Sequence, residues 1–297
     1  MTGGSRQLSA EEEETRIFVL NLTGLDVKRV RSGAGHQGFG KLFSRFSSAF
    51  TLEGNAVCSA AAYRGSSKPL KLLLDSGCEP SSYENGKRSM SAIFIAARAK
   101  EWGNVRLLIE RGAKVETRLL HMAALNDEVE TIELLLAQNL PSMSVETRFE
   151  PETRSPFLDR YGFMRGRKAY LHELWTPLHF AAWSGSLKVT AALLRHGAQV
   201  NKRTPLEEWT AVHLAIAGSH SREKSYQSSI AVIKILVENG ADVNLTTKTG
   251  TSAYILAQSH LMRSWKDGKP LLDYLNSLGV VKTGYQAHEV SVPTLRH

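Results

Sequence analysis

The sequence predicts an all-α protein built from repeated pairs of short helices. Three observations support this fold class. The stretch Trp175–Asn201 reads WTPLHFAAWSGSLKVTAALLRHGAQVN, with two helical patterns separated by Ser184 and Gly185. Similar stretches recur along the chain, and no alternation of strand and helix patterns appears. One such unit is too thin to bury its own apolar face, so neighbouring copies must stack on it.

The local signals within this stretch define its two helices. Thr176 and Pro177 begin the first helix, because the hydroxyl caps free N–H groups and proline needs no N–H there. We expect this helix over roughly Pro177–Trp183. A second amphipathic helix is expected over about Leu187–His196, and Gly197 ends it because glycine tolerates a positive φ.

The pattern TPLH…AA…G…LL…GA.VN in Trp175–Asn201 resembles the ankyrin repeat, and Trp209–Asn244 is similar to it. The resemblance implies an ankyrin-repeat solenoid, in which helix–turn–helix units are joined by hairpin fingers. It also implies a concave face that binds other molecules. The family period is about 33 residues.

The N-terminal part precedes the repeats. Residues 1–37 are expected to be a partly disordered extension. Residues 33–38 form the pattern G-x-G-x-x-G, but the charged segment before them does not fit a buried strand, which favours a flexible loop over a dinucleotide site. Residues 38–54 are expected to be a capping helix, whose apolar face consists of Phe39, Leu42, Phe43, Phe46 and Phe50.

Residues 55–281 are predicted to form the repeat domain. Six repeats can be aligned, at Asn55–Ser81, Met90–Glu116, Thr117–Met143, Trp175–Asn201, Trp209–Asn244 and Gly250–Gly279. Asn139 replaces the glycine that ends the other second helices. The interval from Gly112 to Asn139 is shorter than the period of about 33 residues, which predicts a short finger between repeats two and three.

Two insertions interrupt the predicted repeats, at residues 144–174 and 218–229, and an irregular tail is expected at residues 282–297. In the first insertion, Arg160–Tyr170 alternates basic and aromatic residues and includes Arg165 and Arg167. Such a loop fits contact with a partner or with nucleic acid bases. Equally, it fits a surface loop whose aromatic side chains fold back on the repeats. The second insertion is polar and fits a solvated loop or a phosphorylation site.

The overall composition narrows the class of protein. The 297 residues carry a net charge of +8 at pH 7, yet no dense basic tract is present, which favours dispersed surface charge over a nucleic-acid site. A membrane span is not expected, since no run of about 18 apolar residues occurs. The N-terminal residues lack a secretory pattern, and only Cys58 and Cys78 are cysteines. We expect a monomeric cytoplasmic or nuclear protein.

No catalytic motif stands out. His121, His179 and His213 occupy the histidine position of the TPLH motif, and the family resemblance implies that they hydrogen-bond the backbone of a neighbouring repeat. The alternative is a metal or general-base role. A P-loop, HExxH, GxSxG and clustered cysteines and histidines are all missing from the sequence. We therefore expect no enzyme activity, no cofactor and no metal.

The resemblance also indicates where a partner would bind. In the family, the residues after the AA pair and before the TPLH threonine face the concave groove. Three tryptophans are in or beside this set, which suggests an exposed hot spot, although Trp175 and Trp209 packing on each other would brace the fingers instead. The predicted partner-binding residues are Tyr63, Arg64, Arg98, Trp175, Trp183 and Trp209, together with Arg165 and Arg167 of the insertion.

The function that best fits the sequence is a non-catalytic scaffold or adaptor that binds a protein of unknown identity on the concave ankyrin face. One alternative is a nucleic-acid-associated protein that uses the basic and aromatic insertion. The other is an enzyme or accessory protein of a metabolic pathway, with a ligand held by the repeats. The fold alone does not discriminate between them, because function depends on the site.

Overall fold

We describe the protein from a computed structural model, covering residues 57–75, 77–83, 90–138, 140, 143–148, 174–218, 226–261 and 265–280. Every regular element in these ranges is an α-helix, accompanied by two isolated antiparallel bridges, Tyr83 to Ser91 and Thr246 to Ser252. The all-α prediction is confirmed. The extension, the capping helix, most of the first insertion and the tail lie outside the described residues.

The helices come in pairs along the chain, and we number them so that odd numbers mark the first helix of each repeat. They are α1 (57–61), α2 (Lys68–Asp75), α3 (Ala92–Ala99), α4 (Trp102–Glu110), α5 (Arg118–Leu125), α6 (Val129–Ala137), α7 (Pro177–Ser184), α8 (Leu187–Arg195), α9 (Ala211–Gly218), α10 (Tyr226–Glu238), α11 (Ala253–Leu261) and α12 (Trp265–Ser277). No helix of the described ranges is both long and apolar enough to cross a membrane.

The chain divides after Val115 into two compact units. In the first unit, α3 packs on α4, and Asn104 in the first turn of α4 connects back to α1. The Asn104 side-chain amide is buried and donates to the carbonyl oxygens of Ala61 at 3.0 Å and Tyr63 at 3.4 Å. These carbonyls follow the last turn of α1 and have no partner within the helix, so the amide satisfies them.

In the second unit, α7 is the central first helix, since it contacts α5, α8 and α9. The second helices form a parallel row in which α8 contacts α6 and α10, and α10 contacts α12. Small residues let the first helices approach closely, as Ala181 and Ala182 of α7 are fully buried. The apolar core therefore lies between the two rows of helices, and each repeat completes the core of its neighbour.

Glycines end the second helices as the sequence predicts. Gly77, Gly112, Gly197, Gly240 and Gly279 all have positive φ. After α8, the Gly197 N–H donates to Leu194 and the Ala198 N–H donates to Leu193, at 3.0 Å each. These bonds satisfy carbonyl oxygens that the last turn leaves without partners. Asn139, the predicted substitute, lies outside the described residues.

Some helix bounds differ from those that the sequence predicts. In repeat five, α10 begins at Tyr226, so residues 226–229 of the predicted second insertion are helical. In repeat six, α12 begins at Trp265 and contains Pro270 inside the helix. At such a position a proline removes one backbone hydrogen bond of the helix.

The lengths of the fingers also vary. Residues 111–117 join α4 to α5, whereas residues 196–210 join α8 to α9, so the short finger between repeats two and three is confirmed. Residues 144–148, which were assigned to the first insertion, contribute to a finger instead, because the carbonyl of Thr147 hydrogen-bonds His121. The spacing of the motifs does not predict this hydrogen bond, because its two residues meet only in the folded chain.

Candidate partner-binding surface

Two of the three motif histidines hold the start of one repeat to the finger of the next. His179 Nδ1 accepts hydrogen bonds from the Thr176 backbone N–H at 3.1 Å and from its hydroxyl at 3.0 Å. The opposite nitrogen, Nε2–H, donates to the carbonyl of Lys202 at 3.0 Å. His213 repeats this arrangement with Thr210 and with the carbonyl of Thr251. We assign the Nε2–H tautomer because Nδ1 faces a backbone donor.

His121 has a related but different arrangement. Its Nε2 lies 3.0 Å from the Thr147 carbonyl oxygen, and its Nδ1 lies 3.2 Å from the Thr117 carbonyl oxygen. Burial lowers the pKa of His121, His179 and His213 to about 4, because a charged imidazole loses its hydration inside the protein. The rings are therefore neutral at physiological pH. The predicted backbone-bonding role is confirmed, and the described residues contain no cluster suited to a metal ion.

Cys58 fulfils the same task in the first repeat. Its buried Sγ lies 3.8 Å from the Ser82 carbonyl oxygen and 3.9 Å from that of Met90. A thiol is a weak donor, so this connection to the finger is weaker than that of an imidazole.

The tryptophans of repeat four are core residues rather than an exposed cluster. Trp175 is 5% exposed and Trp183 is 8% exposed. Their rings meet edge to face with centroids 5.8 Å apart, and Trp175 also meets Phe180 at 5.3 Å. Trp209 is half-buried and lies beside His213, with ring centroids 6.3 Å apart. The exposure on which the hot-spot argument relied is thus absent for Trp175 and Trp183.

The remaining predicted residues differ in accessibility. Tyr63 is 40% exposed, Arg64 is exposed and Arg98 is half-buried. Arg165 and Arg167, like the glycine-rich loop at residues 33–38, lie outside the described residues. Tyr63 and Arg64 lie in the turn after α1, and Arg98 lies in the last turn of α3, so all three belong to the first unit.

In the second unit, the backbones of α7 and α9 are in contact just after the AA positions of the motif. A Cβ atom placed on Gly218, the last residue of α9, would lie 1.9 Å from the carbonyl oxygen of Trp183 in α7. Helices α7 and α9 therefore touch where they end, and only glycine fits there. This close approach was not predicted, since it joins residues in different repeats.

A family model described as ankyrin repeats (3 copies) matches residues 58–146 and 163–247, which together make up more than half of the chain. The chain belongs to the ankyrin-repeat family. Ankyrin repeats generally mediate protein–protein interactions, so a protein partner is expected for this chain. The histidine bonds and glycine turns described above are the framework of its ankyrin repeats.

Several relatives share part of this ankyrin region. A probable E3 ubiquitin-protein ligase, XBOS32 of Oryza sativa subsp. japonica, is 30% identical over 55% of this chain and 35% of its own length. Ankyrin repeat and SAM domain-containing protein 6 of Rattus norvegicus is 33% identical over 27% of this chain and 8% of its own length. The chain thus spans about a third or less of these relatives.

Among solved structures, the human ASB11 ankyrin repeat domain is similar to this chain. The match covers 84% of this chain and 91% of that domain, with 19% sequence identity and a TM-score of 0.49.

Proposed function

We propose that this chain is a non-catalytic scaffold or adaptor that binds a protein partner through the exposed side of its first ankyrin helices. One observation carries the proposal. The motif residues of the repeats are used internally, whereas the side chains of Tyr63 and Arg64, at variable positions of the motif, are exposed. Surface aromatic and arginine side chains of this kind are enriched at binding hot spots.

The proposed contact residues in the first unit are Tyr63, Arg64 and Arg98. In the second unit, half-buried Trp209 is proposed as a separate contact. Arg165 and Arg167 of the insertion are proposed as further contacts. Trp175 and Trp183 are proposed to support the surface indirectly. Their buried rings pack on each other and fix the position of α7 instead of contacting a partner.

The rice relative is called a probable E3 ubiquitin-protein ligase. We do not extend ubiquitin transfer to this chain, since the described residues suggest binding and hold their histidines neutral in backbone bonds. An adaptor role requires only that one surface recognises a partner.

The proposal is tested by affinity capture with the full chain, followed by quantification of the captured proteins by mass spectrometry. The Tyr63→Ala/Arg64→Ala double variant is compared with the wild type. The matched control is Lys71→Ala/Glu110→Ala, which removes two exposed side chains from the second helices of the same unit. The partners should be depleted with the first variant and retained with the control.

Retention of every partner by the Tyr63→Ala/Arg64→Ala variant would contradict the proposed function at this surface. Circular dichroism of both variants guards against a folding defect, since surface substitutions usually change stability by less than about 0.5 kcal/mol.

A further inference from the structure

In the first unit, contacts at both ends of α1 define one continuous face. At its start, Cys58 touches the carbonyl oxygens of Ser82 and Met90, which belong to the base of the finger. Beyond its end, the carbonyl of Tyr63 accepts a hydrogen bond from Asn104 of α4. The face along α1 and α3 therefore runs from the finger to the turn between α3 and α4.

The turns at the far end of this face lie against each other. A Cβ atom on Gly103 would be in ordinary contact, at 3.5 Å, with the hydroxyl oxygen of Ser67 in the turn between α1 and α2. Arg64 and Lys100 lie in these two turns and are both exposed. Two positive charges are thus held at the same end of the face.

A third positive charge lies between these turns and the finger. Arg98, in the last turn of α3, is half-buried, and its Nη1 contacts the Met90 sulfur at 2.9 Å. Its Nε is buried and finds no hydrogen-bond acceptor among the described residues. We call Tyr63, Arg64, Arg98 and Lys100 the basic strip.

Stabilisation of helix ends explains only part of the basic strip. A cation near a helix C-terminus interacts favourably with the carbonyl groups there, which accounts for Arg98 and Lys100 in α3. It does not account for a buried guanidinium N–H without an acceptor, because such groups normally find one. In the described part of the unit, the ion pair found joins Arg111 to Asp75, on the second helices and away from the strip.

The surroundings of the strip suit an extended polypeptide. On α1, α3 and the turns after them, the short side chain of Ser59 is exposed and those of Ala62 and Ala99 are partly so, which lets a backbone come close, and the partly exposed Ile95 adds apolar surface. Tyr63 and Tyr83 add exposed rings, at 40% and 46%. Among the described residues beside α3 and α4, the acidic group next to the strip is Glu101, a half-buried residue that precedes α4.

We infer that the basic strip binds an acidic segment of a protein partner, one that combines Asp or Glu side chains with an apolar residue. A carboxylate would give the buried Arg98 Nε the acceptor that it lacks and would match the planar guanidinium. Arg64 and Lys100 attract further carboxylates, and the exposed ring of Tyr63 receives the apolar residue. This inference rests on the proposed function and adds the chemical class of the partner.

The test begins with a phage-displayed library of random peptides selected on the full chain. The enriched peptides are then synthesised, and their binding is measured by fluorescence anisotropy. Arg64→Glu/Lys100→Glu is the test variant, and Lys71→Glu/Lys114→Glu, with the same charge change on exposed residues outside the strip, is the matched control. Thermal melts verify that both variants are folded.

We expect the enriched peptides to be acidic and to contain apolar residues. The test variant should weaken their binding by about tenfold or more, while the control changes it little, because direct charge pairs are lost only in the first. Arg98→Gln, which retains a polar side chain without the charge, should also weaken binding.

Three outcomes would overturn the inference. If uncharged peptides are enriched and still depend on the strip, the acidic class is wrong while the proposed function stands. If selected peptides bind the wild type and both variants equally, or none is enriched, the strip fails as a site for acidic peptides, and capture with the Tyr63→Ala/Arg64→Ala variant decides separately whether the proposed function stands. If labelled single-stranded oligo-dT displaces the peptides and binds more tightly, the strip is a nucleic-acid site.

Discussion

Gly218 shows how one residue can limit the distance between two repeats. A Cβ at this position would lie 1.9 Å from the backbone carbonyl oxygen of Trp183, and neither backbone can move without disturbing its own helix. The TPLH-like motif of repeat five does not indicate this requirement, because the obstructing atom belongs to repeat four.

We predict that Gly218→Ala lowers the free energy of unfolding by about 1–3 kcal/mol, the usual cost of overpacking a core. The measurement is urea denaturation of the full chain. The control is Gly103→Ala, where the added methyl group would be 3.5 Å from the Ser67 hydroxyl oxygen. This helical glycine should tolerate alanine and gain up to about 1 kcal/mol from the better helix propensity. Equal effects of the two substitutions would contradict the close-contact explanation.

The buried histidines predict a pH dependence of stability. Their pKa falls from 6.5 to about 4 on folding, so the unfolded state binds protons more readily than the folded state. Their contribution is fully present above pH 6.5, is lost as the pH falls from 6.5 to about 4, and then levels off. Each neutral histidine can account for up to about 3 kcal/mol over this range.

We therefore expect the free energy of unfolding of His179→Gln to decrease less between neutral and acidic pH than that of the wild type. Urea denaturation at several pH values measures that slope. His196→Gln is the control, since this residue is on the surface beside Glu133 rather than in a repeat framework. An unchanged slope in His179→Gln would show that other groups dominate acid destabilisation.

At the scale of the helix, two non-glycine residues end first helices in a left-handed conformation. Lys100 follows α3 with φ 63°, and Asp127 lies beyond the end of α5 with φ 58°. Of these two residues, only Asp127 makes a side-chain hydrogen bond that offsets the backbone strain. Its Oδ1 accepts a hydrogen bond from the N–H of Val189 at 3.0 Å, so it caps the first turn of α8 in the next repeat.

Substitution with glycine should change the free energy of unfolding differently at these two positions. Lys100→Gly relieves the backbone and should raise the free energy of unfolding by up to about 1 kcal/mol. Asp127→Gly also relieves strain but loses a cap that contributes about 1 kcal/mol, so the two effects nearly cancel. Asp127→Ala, which retains the strain and loses the cap, should be the least stable. Thermal unfolding of all three measures this order, and an equal gain from both glycines would disprove capping.

At the scale of the whole molecule, stability depends on contacts between neighbouring repeats. In the second unit, Phe180 of α7 is 3% exposed and meets His121 of α5 with ring centroids 5.4 Å apart. Leu275 of α12 is fully buried but lies in the last described pair, α11 and α12. A defect at each position should spread mainly to the repeats that touch it.

We predict that Phe180→Ala lowers stability by about 3–5 kcal/mol and reduces hydrogen-exchange protection in α5, α7 and α9 together. Leu275→Ala creates a comparable cavity in the last described pair of helices. It should reduce hydrogen-exchange protection in α10, α11 and α12 and leave α5 protected. Hydrogen exchange followed by mass spectrometry distinguishes the two patterns. Uniform loss of protection from either variant would mean that the unit unfolds as one block.

The sequence by itself determined the repeat and its helices. These follow from short local patterns, because caps, turns and apolar spacing act within one repeat, as at Thr176, Pro177 and Gly197. The interval between repeats, compared with the family period, predicted the short finger before α5. The role of the histidines and the candidate positions of Tyr63 and Arg98 came from the family resemblance.

The tertiary structure alone decided which of those residues meet solvent. Trp175 and Trp183 are buried, while Tyr63 and Arg64 are exposed, although all four were predicted from equivalent reasoning. The cap from Asp127 to α8 and the contact at Gly218 likewise join residues from different repeats. Burial is a property of the stacked neighbours, so a pattern confined to one repeat specifies its helices but not the surface that remains once the repeats have packed together.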